Sequence, residues 1–178
     1  MQIDVFDKIL SLDLSNCYMQ LLKFPRSLPL LTTLYAQNNQ FQDVFDCSVQ
    51  LIDLPKIRLL NISHNRIQLI KKLPPHLTHL YADGMQIEIE KSPNLQFLSF
   101  VQPNSVIDMR QLQLNFPKLS QLMIHESAKL VNGDQASVIV TRQRDIVNVT
   151  IGVDDKKNNK RDVTMEYLKG KLQDILNE

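Results

Sequence analysis

A chain of 178 residues, 43% hydrophobic and 22% charged, is long enough to bury a sizeable core of its own. Its 20 basic and 19 acidic residues leave a formal charge of +1, which excludes a general electrostatic pull toward nucleic acid or anionic lipid. Residues 1–14 hold Asp4, Asp7 and Asp13 and no long apolar run, so they predict no secretory leader. No stretch reaches the roughly 18 apolar residues of a membrane span.

The first element of the chain is Ile9, Leu12 and Leu14, followed by Cys17 and Met19. The same frame returns as Leu31, Leu34 and Ala36 with Asn39 and Phe41, and again as Ile57, Leu60 and Ile62 with Asn65 and Ile67. Each copy is apolar at positions one, four, six and eleven and carries Asn or Cys at nine. Later copies decay. Leu77, Leu80, Ala82 and Ile87 keep the apolar frame with Met85 at nine; Leu95, Leu98 and Phe100 have Pro103 there; Leu119, Leu122 and Ile124 have Ser127. The first positions, 9, 31, 57, 77, 95 and 119, are separated by 22, 26, 20, 18 and 24 residues.

This L-x-x-L-x-L-x-x-N/C-x-L pattern resembles the intracellular leucine-rich repeat family over roughly residues 5–130. The resemblance implies an α/β repeat solenoid: one short strand plus a return segment per repeat, stacked so that the strands form a curved, concave parallel sheet that binds other macromolecules. It also implies structural roles at position nine. Asn39 and Asn65 would bond backbone groups left open by the turn after the strand, and Cys17 would be a buried repeat residue. The segment Leu73-Pro74-Pro75-His76-Leu77-Thr78-His79-Leu80-Tyr81 locally resembles the short repeats of secreted bacterial effectors, without the ubiquitin ligase domain that accompanies them.

Alternation within the strands places Leu12 and Leu14 inward and Ser11, Asp13 and Ser15 outward. Two outward ladders follow. Position three reads Ser11, Thr33, Leu59, His79, Phe97 and Gln121; position five reads Asp13, Tyr35, Asn61, Tyr81, Ser99 and Met123. Position eight adds Asn16, Asn38, His64, Gly84, Gln102 and Glu126. Tyr35, Leu59, Tyr81 and Phe97 are the expected partner anchors on the concave face, since aromatics carry much interface energy. Asn61, His64 and His79 are expected to give direction by hydrogen bonding. Ordinary β-propensity also favours exposed Tyr in strands, so the ladder alone does not prove a site.

Beyond Ile124, residues 138–141 and 146–151 read as a hairpin around Gln143-Arg144-Asp145, expected to cover the open C-terminal end of the solenoid. Residues 152–161 read as a polar linker with Lys156, Lys157, Lys160 and Arg161 diluted by Asp154 and Asp155. Residues 162–178 read as an amphipathic helix, with Asp162 as N-cap and Met165, Leu168, Leu172 and Ile175 on one face. That face is a second expected contact surface, for a partner or for the solenoid itself. The resulting organisation is a solenoid over 1–130, a β-rich cap over 131–151, a linker over 152–161 and a helix over 162–178.

No phosphate-cradling loop, nucleophile elbow, H-E-x-x-H or C-x-x-C motif occurs, so no catalysis and no catalytic residue is expected. His64, His79 and His125 fall on separate repeats without a paired carboxylate or cysteine, so no metal and no other cofactor is expected. The two cysteines, Cys17 and Cys47, suit a reducing compartment better than a disulfide framework, and a cytoplasmic or nuclear protein that is not secreted is expected. The functional expectation is a non-catalytic adaptor or assembly subunit that holds a protein partner on its concave sheet, with no membrane and no small-molecule substrate. An RNA-associated subunit of a ribonucleoprotein complex and a regulatory subunit of an enzyme are the alternatives.

Overall fold

The computed structural model describes residues 8–20, 28–42, 54–70, 73–86, 88–132 and 137–152. The expected linker and terminal helix, with Met165, Leu168, Leu172 and Ile175, lie outside these residues, as does Cys47.

Six three- to five-residue strands run parallel in one sheet: β1 (Ser11–Asp13), β2 (Thr33–Tyr35), β3 (Leu59–Asn61), β5 (His79–Tyr81), β7 (Phe97–Phe100) and β9 (Gln121–His125). Each comes from one repeat and lies beside the strand of the next. The return segments hold two small parallel ladders, β4 (Leu69–Ile70) with β6 (Glu88–Ile89) and β8 (Val106–Asp108) with β10 (Lys129–Val131). They also hold a short helix, α1 (Met109–Asn115). The architecture is a repeat solenoid with a parallel sheet, in which β-structure outweighs helix among the described residues.

The core is the set of inward frame positions. Leu31, Leu34, Ala36, Ile57, Leu60, Ile62, Leu77, Leu80, Ala82 and Leu95 are all buried, and the residues flanking position four in β2, β3 and β5 are half-exposed. No single repeat has two apolar faces to close on itself, so stacking supplies the burial. Two residues before every first position from the second repeat onward stands a proline: Pro29, Pro55, Pro75, Pro93 and Pro117. Each opens a tight turn, closed by the N–H of the first-position residue on the carbonyl three residues back, as in Ile57 to Leu54 and Leu119 to Phe116. Proline presets the backbone for the second residue of such a turn and gives up an N–H that the turn does not need. The proline column therefore ends each return segment and aims the chain into the next strand.

The C-terminal hairpin, β11 (Ser137–Gln143) and β12 (Ile146–Gly152), forms around a turn in which Arg144 takes a left-handed φ of 55°. It joins the solenoid through the edge of the main sheet. β12 pairs antiparallel with β9, and β11 pairs with β12, so the hairpin adds two strands to the same sheet. Val147, Val149 and Ile151 continue the buried row of Leu122 and Ile124, which explains their alternation in sequence. β11 takes over as the outermost strand.

Candidate partner-binding face

The register of the sheet puts the two outward columns in line across all six parallel strands. Ser11, Thr33, Leu59, His79, Phe97 and Gln121 are successive partners in one, and Asp13, Tyr35, Asn61, Tyr81, Ser99 and Met123 in the other. Through β12 the columns continue into Thr150 and Asn148. His79 and Phe97 stack with ring centroids 5.7 Å apart, and Tyr81 leans on Phe97 at 5.0 Å. The three rings form one half-buried cluster near the middle of the sheet, with Leu59 and Tyr35 on the strands before it. Beyond the cluster, Phe97, Gln121, Met123, Thr141, Asn148 and Thr150 line a cleft of about 230 Å³ where the hairpin joins.

Not every column residue is available. Ser99 is buried and donates its hydroxyl to Asp83 Oδ1 at 2.7 Å. Asn61 Oδ1 accepts the Ser63 N–H at 3.1 Å, and its amide NH2 has no partner among the described residues. His79 Nδ1 shares a 2.9 Å hydrogen bond with the Thr78 hydroxyl, so one ring nitrogen remains for a ligand. At the N-terminal end, Asp13 accepts from both the hydroxyl and the N–H of Ser15, and these two bonds hold its carboxyl below the usual carboxylate range.

His64 falls three residues beyond the end of β3. It stands after the strand in a left-handed conformation (φ 57°), in a column with Asn16 (60°), Asn38 (56°) and Gly84 (68°). In the first four repeats the position-eight N–H donates to the next repeat's position-seven carbonyl, as Asn38 to Ser63 and His64 to Asp83, and all four of these residues take the left-handed turn. The His64 ring lies directly over Gly84, where a Cβ would fall 2.3 Å from Nδ1.

Position nine behaves as expected for the two asparagines. Asn39 Oδ1 accepts from Cys17 and Met19 N–H, and its amide donates to the Leu14, Ala36 and Gln37 carbonyls. Asn65 accepts from Phe41 N–H and donates to Ala36, Ile62 and Ser63 carbonyls. Each thus ties its own turn to that of the preceding repeat. Cys17 departs from expectation: it is exposed, with its Sγ 3.3 Å from the Ser15 carbonyl. The position-nine side chain reaches back to the repeat before it, and no described repeat precedes the first, so nothing described covers this one.

Met85 at position nine has no side-chain oxygen or amide to make that backward tie. Asp83, two residues earlier, instead bonds forward to the next repeat, accepting the Val101 N–H at 2.8 Å. In the last repeat Ser127 Oγ accepts the Asn104 N–H at 2.9 Å, with His125 as its neighbour at 2.8 Å. Sequence reasoning missed Asp83 because it sits out of frame. It also missed the proline column, although the fixed spacing of those prolines is visible in the sequence.

Among the described residues no three His, Cys, Asp or Glu side chains come together to hold a metal, and no helix is long and apolar enough to cross a membrane. No family model matches this chain, and no curated protein matches it.

Proposed function

We propose that the chain is a leucine-rich repeat module of the intracellular type that works without catalysis, as an adaptor or assembly subunit, by holding a protein segment on the outward face of its main sheet. The observation that carries this reading is the composition of that face. Its twelve parallel-strand positions include Tyr35, Leu59, His79, Tyr81 and Phe97 in adjoining places, and not one Lys or Arg. Phosphate backbones are held chiefly by Lys and Arg, whereas protein interfaces are centred on aromatic and apolar groups with hydrogen-bonding neighbours. Asn61 and His79 each keep one hydrogen-bonding end for such a partner. The frame of the repeats and the asparagine ties support the family reading, and two cysteines, too few for a disulfide framework, support a cytoplasmic or nuclear site of action.

The test is affinity capture from the native cell with the tagged full-length chain and a Tyr35→Ala, Tyr81→Ala variant that retains wild-type circular dichroism. The expected result is a partner captured by wild type and lost by the variant. A partner retained equally by both removes the sheet face from the interface.

A further inference from the structure

We infer that the edge of the solenoid where the strands begin carries a second recognition site, a cationic groove that takes the carboxylates of an acidic segment of the protein partner. The inference deepens the proposed function and rests on it for the identity of the partner as a protein.

The proline turns build this edge. In each repeat the residue after the proline and the residue at position two stand on either side of the strand's first inward residue. Stacking brings the former together as Leu30, Lys56, His76, Asn94 and Lys118, and the latter as Thr32, Arg58, Thr78, Gln96 and Ser120. Strands lie about 4.8 Å apart, so neighbouring members of a column are within reach of one extended ligand. Between the columns runs a groove of about 620 Å³, the largest among those described, lined by Lys56, Arg58 and His76 and by the neutral Thr32, Thr78 and Asn94.

The neutral groups are already engaged. Thr32 and Thr78 donate their hydroxyls to the Leu10 and Arg58 carbonyls at 3.0 and 3.1 Å. Asn94 donates to the Pro75 carbonyl and accepts from Lys118 Nζ, both at 2.8 Å. No Asp or Glu lines the groove, and no described carboxylate pairs with Lys56 or Arg58, both exposed. A chain of formal charge +1 therefore places two full positive charges and an imidazole along one edge with no internal counter-charge among the described residues. Lys supplies a mobile ammonium and Arg a planar fork that matches a carboxylate. The lining comes from four successive repeats, about 14 Å across three strand spacings, enough for a few acidic side chains. The sheet face beside it has no Lys or Arg to extend a phosphate track, which favours an acidic peptide over a nucleic acid.

The experiment is a titration of the isotope-labelled full-length chain at low ionic strength with acetylated hexaglutamate, followed by amide shifts. Hexaglutamine and a ten-nucleotide oligouridylate serve as comparison probes. Saturable shifts centred on Thr32, Lys56, Arg58, His76 and Thr78 are expected with hexaglutamate and not with hexaglutamine. A Lys56→Gln, Arg58→Gln variant, with unchanged circular dichroism, is expected to bind hexaglutamate roughly 2- to 30-fold more weakly, the range for two exposed charge contacts. The Tyr35→Ala, Tyr81→Ala variant is expected to bind hexaglutamate as wild type does. Absent or dispersed shifts, or affinity unchanged by the Lys56/Arg58 substitutions, would overturn the groove while leaving the sheet-face capture result standing. Tighter binding of oligouridylate at these residues would overturn the acidic-peptide occupant.

Discussion

Replacing Asn65 by Ala removes four hydrogen bonds, but the cost is set by which groups find no other partner. The Ser63 carbonyl still accepts from Asn38 N–H, and the Ala36 carbonyl still accepts from the Asn39 amide. Two groups are left open: the Phe41 N–H, held at 3.1 Å, and the Ile62 carbonyl, held at 2.8 Å. Phe41 and Ile62 are fully buried, so water does not readily replace the lost side chain. At about 1–3 kcal/mol for each unmet buried group, Asn65→Ala should cost roughly 2–6 kcal/mol. Asn39→Ala should cost less, because the groups it leaves open, the Cys17 and Met19 N–H and the Leu14 carbonyl, belong to a repeat in which Leu14 and Met19 are only half-buried and Cys17 is exposed to water. The assay is urea unfolding of the full-length chain followed by circular dichroism, with the two variants side by side. A loss below about 1 kcal/mol for Asn65→Ala, or a larger loss for Asn39→Ala, would refute the assignment of these asparagines as the ties between repeats.

Gly84→Ala should destabilise the chain by about 1–3 kcal/mol, since φ is +68° and the new Cβ would meet His64; adding His64→Ala should recover the clash but not the backbone strain, which a double-mutant cycle by thermal unfolding would show. Asp108 should make α1 sensitive to acid. Its carboxyl accepts from Gln111 and Arg110 N–H and from the Asn132 amide, and these bonds hold it below the ordinary aspartate value of about 3.9. The folded state thus binds this proton less readily than the unfolded state, so the contribution is complete above the unfolded value and fades as pH falls through the lowered folded one. Acid unfolding below about pH 4 should become less steep in Asp108→Asn, which keeps a capping oxygen without the titration; an unchanged curve would count against the role of Asp108.

Much of the candidate face was legible in the sequence because strand geometry leaves little freedom. A two-residue alternation, repeated in one frame, determines which side chains point outward and which meet across neighbouring strands. The columns through Leu59, His79 and Phe97 and through Tyr35, Asn61 and Tyr81 followed from that alone. The backbone bonds of Asn39 and Asn65 were expected from the resemblance of the repeat pattern, and the hairpin from its own alternation. The proline column was equally present in the sequence.

What only the tertiary structure decided depends on which segment lies next to which. Cys17 shares position nine with Asn39 and Asn65, yet burial there comes from the preceding repeat, and the first repeat has no described one. Asp83 ties its turn forward, to Ser99 and Val101 of the next repeat, a contact between repeats that no frame position records. The hairpin's side of attachment was fixed by pairing β12, not β11, with β9, since that register sets Val147 and Val149 beside Ile124 and Leu122 in the core. The cationic groove arose from residues of unrelated type in different repeats, brought to one edge by stacking. Alternation is a property of one strand and is written locally; neighbourhood between repeats is a property of the packed chain.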